Sequence, residues 1–340
     1  MFFKSISDLL LMKFLIVRTD RIGDLIISTS VFELLKKKFP DSEITALVSE
    51  DTKEILLHNP YIDGVVGISR FTNLKDFVHL IRYIRNQKFD IGILLHPTFS
   101  LSLLLFLSRV KIRVGTGYRF YSLLFNRRVY EHRKDCKKHE AEYNLGFLKF
   151  LGIEGLKTVP KIFLSKEEIR KSTYKFKDKI VAIHPGSGGS ARAWGRGHFA
   201  EIADLLARKG MKVYLTGSKK EKGLIDEVKS KMRTLPSILV GGTTLREFAV
   251  FLSYCSLLIT NSTGPLHIAT AVGTPTISIF CPIAGCSPVR WGPLGRKNKV
   301  FIPEVSACKK CIGKRCRYYD CMDMIKPEAV FEEAKKALKI

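Results

Sequence analysis

The stretch Lys13-Phe14-Leu15-Ile16-Val17-Arg18-Thr19-Asp20-Arg21-Ile22-Gly23-Asp24 decides the architecture of this chain. An unbroken apolar run between charged ends reads as a strand buried on both faces, the pattern of a parallel sheet. A polar turn follows, and helical periodicity then covers residues 24–38. Working outward, strands are expected at 44–48, 64–68 and 91–95, with helices near 52–58 and 74–86. A second series is expected at 180–183, 212–215, 237–240, 257–260 and 276–280, again separated by helices. The alternation predicts an α/β protein of two doubly wound, Rossmann-like halves. The charged stretch 165–179 has little apolar periodicity and reads as the linker. The expected domains are therefore 1–165 and 166–325, followed by a segment 326–340 that can cross back to the first. Its helix is expected over 327–338, with Pro327 in the first turn.

Composition narrows the class of partner. The chain has 340 residues, 57 Lys and Arg against 32 Asp and Glu, and a formal net charge of +25. Such a surface attracts anions, above all phosphorylated or lipidic ones. Basic helices with base-reading side chains and aromatic-studded strands are missing, which argues against nucleic acid. No apolar run approaches the roughly 20 residues of a membrane-spanning helix; the longest lies at 99–108. The opening MFFKSISDLLLMKF has no signal-peptide cleavage pattern, so a cytoplasmic protein is expected. Phe2, Phe3, Ile6, Leu9 and Leu10 recur at helical spacing and fit a short helix lying in a membrane interface. Met12 fits equally well as the start of the chain. The 8 cysteines include Cys308-x2-Cys311-x4-Cys316-x4-Cys321. That spacing admits either a zinc ion or reduced thiols in a compact loop.

In open parallel sheets ligands bind beyond the carboxyl ends of strands, so the turns there are the places for chemistry. The expected strand 257–260 runs into Asn261-Ser262-Thr263-Gly264-Pro265-Leu266-His267 and a helix over 268–272. Unpartnered N–H groups at a helix start attract an anion. Gly264 allows close approach, Ser262 and Thr263 add hydroxyls, and His267 can reach back over the turn. Ordinary capping would select much the same residues. The turn holding Asp24 lacks the glycines of a dinucleotide fingerprint, which argues against a nicotinamide dehydrogenase. Asp24 fits a general base, and also a carboxylate favoured by the helix dipole; the dipole lowers its pKa unless burial offsets it. After 180–183 comes His184-Pro185-Gly186-Ser187-Gly188-Gly189-Ser190-Ala191-Arg192-Ala193-Trp194, a donor-rich loop with a cation but no Walker signature. After 212–215, Thr216, Gly217 and Ser218 lead to Glu221, which can accept two ribose hydroxyls or stand as a solvated surface carboxylate.

Taken in order, GDLI at 23–26, HPGSG at 184–188 with RAW at 192–194, LTGS at 215–218 with Glu221, GGTTLREFA at 241–249 and NSTGPLHIA at 261–269 resemble the successive signatures of the lipopolysaccharide heptosyltransferase family. These are ADP-heptose-dependent glycosyltransferases of the GT-B fold, two Rossmann-like domains facing across a cleft. The resemblance spans nearly the whole chain. It implies an inverting, metal-independent enzyme without cofactor, acting at the cytoplasmic face of the inner membrane. Asp24 takes the place of the catalytic base in the first, acceptor-binding domain. Ser187, Arg192, Thr216, Gly217, Glu221, Thr243, Ser262, Thr263, Gly264 and His267 fall at the donor site of the second. Arg192 stands where the family usually has Lys. Ser262 stands where it often has Asp, which leaves the donor sugar open between heptose and a related sugar. An anionic lipid-linked saccharide is the implied acceptor, with Arg21, Arg113, Arg119, Arg127 and Arg128 as its contacts. The resemblance of the tail ending Cys321-Met322 favours the structural-loop reading of the thiols. A nucleotide-sugar epimerase and a basic binding protein with a cysteine-stapled loop are the alternatives.

Overall fold

A computed structural model describes residues 12–69, 74–154, 158–174, 178–189 and 192–340. The helical spacing at residues 2–10 lies outside them. The chain divides into two compact units, Met1–Arg133 with Glu140–Phe163, and Lys134–His139 with Leu164–Ile340.

The first unit is built on β1 (Lys13–Arg18), β2 (Glu43–Ser49), β3 (Gly64–Ile68), β4 (Ile91–Leu94), β5 (Ile112–Thr116) and β6 (Arg127–Val129), in the order β3-β2-β1-β4-β5-β6. All pairings are parallel, and Ile16 lies opposite Ala46 on one side and Ile93 on the other. Side chains alternate faces along β1. Phe14 and Ile16 therefore pack with Phe32, Leu35 and Phe147, while Leu15 and Val17 pack with Leu80, Leu104 and Phe125. Both faces are covered, which is why the run is continuously apolar.

The second unit repeats the plan with β7 (Ile180–His184), β8 (Lys212–Gly217), β9 (Ser237–Val240), β10 (Leu257–Asn261), β11 (Thr276–Ile279) and β12 (Asn298–Phe301), ordered β12-β11-β10-β7-β8-β9. In each sheet the chain runs from a central strand to one edge and then crosses to the other side. The crossing leaves a crevice at the carboxyl ends of β1 and β4, and another at β7 and β10.

Several elements differ from expectation. The short strands β5, β6 and β12 carry charge in place of an apolar run, as edge and near-edge strands can. Residues expected as a helix near 52–58 form a 3-10 turn, Glu50–Leu56. The expected linker is partly helical. Ser165 and Glu168 form a capping box for the helix Lys166–Lys171, and Glu168 makes two bonds of 2.5 and 2.6 Å to the buried Arg246. Those bonds, chiefly, push the Glu168 carboxyl down to about 2. The helix Pro327–Leu338 forms as expected and packs on Arg196–Arg208, β10 and β11 within the second unit. No helix among the described residues is long and apolar enough to cross a membrane.

Candidate active site

The β1/β4 crevice is organised by a buried charge. Arg18, the last residue of β1, has a side chain only 2% exposed. Its guanidinium donates to Asp20 Oδ1 at 2.7 Å, Asp24 Oδ1 at 2.5 Å and Asn144 Oδ1 at 3.1 Å, and lies 3.5 Å from Glu140 Oε1. Arg133 approaches the same groups from the far side, 2.8 Å from Glu140 Oε1 and 3.0 Å from Asn144 Oδ1. Asn144 Nδ2 donates to Ser28 Oγ at 3.1 Å, and that hydroxyl donates to the Asp24 carbonyl at 2.7 Å. From the loop after β4, His96 Nδ1 lies 3.1 Å from Asp20 Oδ2.

Three carboxylates thus share two guanidiniums, and the site carries one negative charge too many. The excess falls on Asp24. Burial, and then the charges of Asp20 and Glu140, overcome Arg18 and raise its carboxyl to about 6. The expected dipole effect loses to desolvation. Burial also raises Asp20, but the His96 hydrogen bond and Arg18 outweigh it and hold that carboxyl below the usual range. Two neighbouring acids therefore diverge: Asp20 stays ionised, while Asp24 exchanges its proton near neutral pH. That is the property wanted in a general base.

The second crevice is built mainly from neutral groups. Asn261 Oδ1 accepts from Trp194 N at 3.0 Å, and Nδ2 donates to Pro185 O at 2.8 Å, so one side chain fixes both ends of the glycine loop. Thr260 Oγ1 donates to the His184 carbonyl at 3.0 Å and lies 3.3 Å from Thr263 Oγ1. The helix here begins at Gly264, earlier than expected, and runs Gly264–Ala271. Its N-cap Thr263 makes no side-chain cap. The Thr263 hydroxyl is turned to Thr260 and does not cap the helix. The amides of the first turn keep their pull on an anion.

Beside this turn, Thr216 Oγ1 donates to Ile183 O at 3.3 Å and lies 3.1 Å from His184 Nδ1. A hydroxyl already donating must accept from the ring, which puts the His184 proton on Nδ1 and a lone pair on Nε2. Burial lowers the His184 pKa against the charge of Glu221. Glu221 Oε2 accepts the Ser218 amide and hydroxyl, both at 2.8 Å. A Cβ on Gly186 would collide with Glu221 Oε1 and lie 2.8 Å from His184 Nε2. Two acceptors therefore flank a position that only glycine leaves open, an arrangement suited to a pair of hydroxyl donors.

The other expected residues differ in what holds them. Thr216 is fully buried with its hydroxyl committed as above, so it positions the His184 ring. Arg113 donates to Leu124 O at 2.9 Å and Val110 O at 2.6 Å, bracing the chain between those residues. Arg21, Arg119, Arg127 and Arg128 are exposed. His267 is buried; that burial, and then His139, push its pKa down to about 3, so it is a neutral ring. Ser187 and Ser262 are half-buried, and Ser262 N donates to Ile279 O at 3.1 Å. Gly217 O accepts from Gly241 N at 2.9 Å, and Thr243 lines a cavity of about 490 Å³ with Tyr174, Gly242 and Glu247. Arg192 stacks on Tyr319 at 4.5 Å, with Nη1 3.9 Å from Cys311 Sγ. Cys281, Cys308, Cys311, Cys316 and Cys321 line a cavity of about 40 Å³ beside it. All are free thiols, and among the described residues no three His, Cys, Asp or Glu are placed to hold a metal ion.

Sequence reasoning missed Arg18, Asp20, His96, Arg133, Glu140 and Asn144, and also His184 as the second acceptor beside Glu221 around Gly186. A charged residue closing an otherwise apolar strand was the available signal for Arg18.

Two six-stranded parallel sheets of this order, each with its polar cluster at the crossing point, place the protein in the GT-B class of glycosyltransferase folds. Comparison with known proteins gives the family. The chain belongs to glycosyltransferase family 9 (heptosyltransferase), whose family model matches residues 77–321. It is similar to lipopolysaccharide heptosyltransferase 3 of Escherichia coli K12, 30% identical over 274 residues, covering 76% of this chain and 79% of that one. Among solved structures, a glycosyl transferase family 9 protein of Veillonella parvula shares the fold with a TM-score of 0.85, 24% identity and coverage of 96% and 97%. The E. coli ADP-heptose LPS heptosyltransferase II does so with a TM-score of 0.82, 21% identity and coverage of 96% and 99%.

Replacing Arg18 should expose the cost of its cluster. Arg18→Met leaves the three carboxylates facing one another and is expected to cost about 3–5 kcal/mol at neutral pH. Their folded-state pKa values then rise above the unfolded ones, so the deficit should shrink as pH falls toward 5. Urea unfolding at the two pH values measures it; an equal deficit at both would show that charge repulsion is not its origin.

Proposed function

We propose that this protein transfers heptose, or a related sugar, from ADP-heptose to the inner core of lipopolysaccharide, with inversion, at the cytoplasmic face of the inner membrane. The first unit takes the acceptor and the second the donor. The observation that carries this reading is the Asp24 carboxyl, raised to about 6 at the β1/β4 crossing of a heptosyltransferase-family fold. ADP-heptose and lipopolysaccharide come from the names of the E. coli relatives.

In the reaction, Asp24 takes the proton of the acceptor hydroxyl as that oxygen attacks the anomeric carbon. The bond from that carbon to the β-phosphate oxygen breaks on the opposite face, and ADP leaves with the electron pair. A single displacement inverts the configuration. Charge building on the diphosphate is met by the amides at the start of Gly264–Ala271 and by Arg192, which lower the barrier because they are fixed in advance. Glu221 Oε1 and His184 Nε2 accept the two ribose hydroxyls, with Gly186 giving the room. Thr243 lies toward the base. The neutral His267 beneath the phosphate turn adds no charge, leaving the helix start as the local anion attractor.

The reading makes ADP release depend on acceptor. Purified protein given ADP-heptose should release ADP only with a heptose-accepting core oligosaccharide present, yielding the inverted linkage. Donor turnover without acceptor would favour an epimerase. Asp24→Asn should lower kcat by at least about 10²-fold with donor affinity nearly unchanged. Full turnover by that variant would remove Asp24 as the base. Gly186→Ala should weaken ADP binding about tenfold or more, which calorimetry reads directly; wild-type affinity would dissociate Glu221 and His184 from the donor.

A further inference from the structure

The first unit carries an apolar surface that its own core does not need. Phe120 is 80% exposed and Leu123 is 78% exposed on the single 3-10 turn Phe120–Leu124. Residues three apart on such a turn share one side. Phe99, 49% exposed at the start of the helix Phe99–Leu107, stacks on Phe120 with ring centroids 5.7 Å apart. The turn is not loose. Tyr121 beneath it is buried and donates its hydroxyl to Pro97 O at 2.8 Å, and Arg128 Nε donates to Ser122 O at 3.1 Å. Isolated exposed apolar side chains are ordinary, but adjoining ones held outward mark a contact surface.

Charge selects the partner. Arg119, Arg127 and Arg128 are exposed around this turn. Across residues 91–130 there are six Lys or Arg and no Asp or Glu, although the chain has 32 acidic residues in 340. Aromatic and aliphatic tips ringed by arginine, with no carboxylate in the surrounding sequence, match the interface of a bilayer bearing anionic headgroups. A protein partner recognised by this face would have to be acidic and apolar together, and nothing in the unit calls for one.

Position ties the surface to the chemistry. Phe99 lies three residues beyond His96, on the loop after β4, and His96 contacts Asp20, which is bonded to Arg18 and through it to Asp24. The apolar turn and the base thus share the carboxyl end of one sheet. We propose that Phe99, Phe120 and Leu123, with Arg119, Arg127 and Arg128, seat the first unit on an anionic lipid surface and so present Asp24 to an acceptor held in that surface. The last step rests on the lipid-linked acceptor proposed above; the lipid binding itself does not.

Sedimentation with vesicles tests it. The full chain should co-sediment with vesicles of phosphatidylglycerol and phosphatidylcholine, bind pure phosphatidylcholine at least tenfold less, and be released from the anionic vesicles by 0.5 M salt, roughly 3 Å of Debye screening being reached near 1 M. The double variant Phe120→Ser with Leu123→Ser should lose at least tenfold in vesicle partition, with an unchanged far-ultraviolet circular dichroism spectrum and unchanged transfer to a lipid-free oligosaccharide acceptor. Wild-type partition by the double variant, or equal binding to neutral vesicles, would overturn the proposal. So would a wild-type dimer that the double variant converts to monomer without any vesicle binding, since the face would then join two copies of the chain. Absence of sugar transfer alongside normal vesicle binding would count against the proposed reaction and leave this surface standing.

Discussion

A buried guanidinium at the end of a central strand governs the first unit. Arg18 leaves β1 at the point where the sheet crosses over, and removing such a charge from water is costly unless its donors are met. They are met by residues from three places in the chain: Asp20 and Asp24 on the following turn and helix, and Glu140 and Asn144 from far along the sequence. The same interaction that closes the fold supplies more carboxylate than the two arginines can neutralise. Burial first, and then that surplus, lift Asp24 to about 6. The side chain that draws these segments together thus also sets the charge balance around Asp24.

The second unit solves a different problem with the same topology. Its crevice lacks an excess of buried charge and holds its glycine loop by two hydrogen bonds of the Asn261 side-chain amide, one accepted from Trp194 N and one donated to Pro185 O. His184 and His267 are kept neutral by burial, and the anion-attracting element is a helix start without a side-chain cap. The proposed reaction asks for a titratable base on one side and fixed donors and acceptors on the other, and the two units differ in this respect.

The sequence made some of this legible and concealed the rest for identifiable reasons. Central strands such as Phe14 to Val17 show as unbroken apolar runs because both faces are covered. The strands β5, β6 and β12 did not show, since residues such as Arg127 and Arg128 are compatible with an edge and carry no apolar signal. The 165–179 stretch looked like linker because its helix is short and polar, held by a cap and by the Arg246 pair. At the sites, Asp24 and the 261–267 turn were visible as local motifs. The Arg18 cluster was not, because its members Glu140 and Asn144 lie more than a hundred residues away and only folding brings them in. For Thr216 and Arg113 the sequence showed only residue types suited to ligand contact; the hydrogen bonds that hold them, from Thr216 to Ile183 O and from Arg113 to Leu124 O, come from three-dimensional neighbours.

The central claim of the proposed reaction is that Asp24, a carboxylate tuned to about 6, takes the proton of the acceptor hydroxyl. The pH dependence of kcat/KM in the free enzyme tests it most directly, because the acid limb reports the protonation of an essential base. Only the ionised carboxylate can take a proton, so kcat/KM should be level above the limb and fall about tenfold per pH unit below roughly pH 6. Loss of that limb in a residually active Asp24→Asn protein would assign it. A limb near the ordinary aspartate value of 3.8, or a rate unchanged down to pH 4.5, would contradict the account.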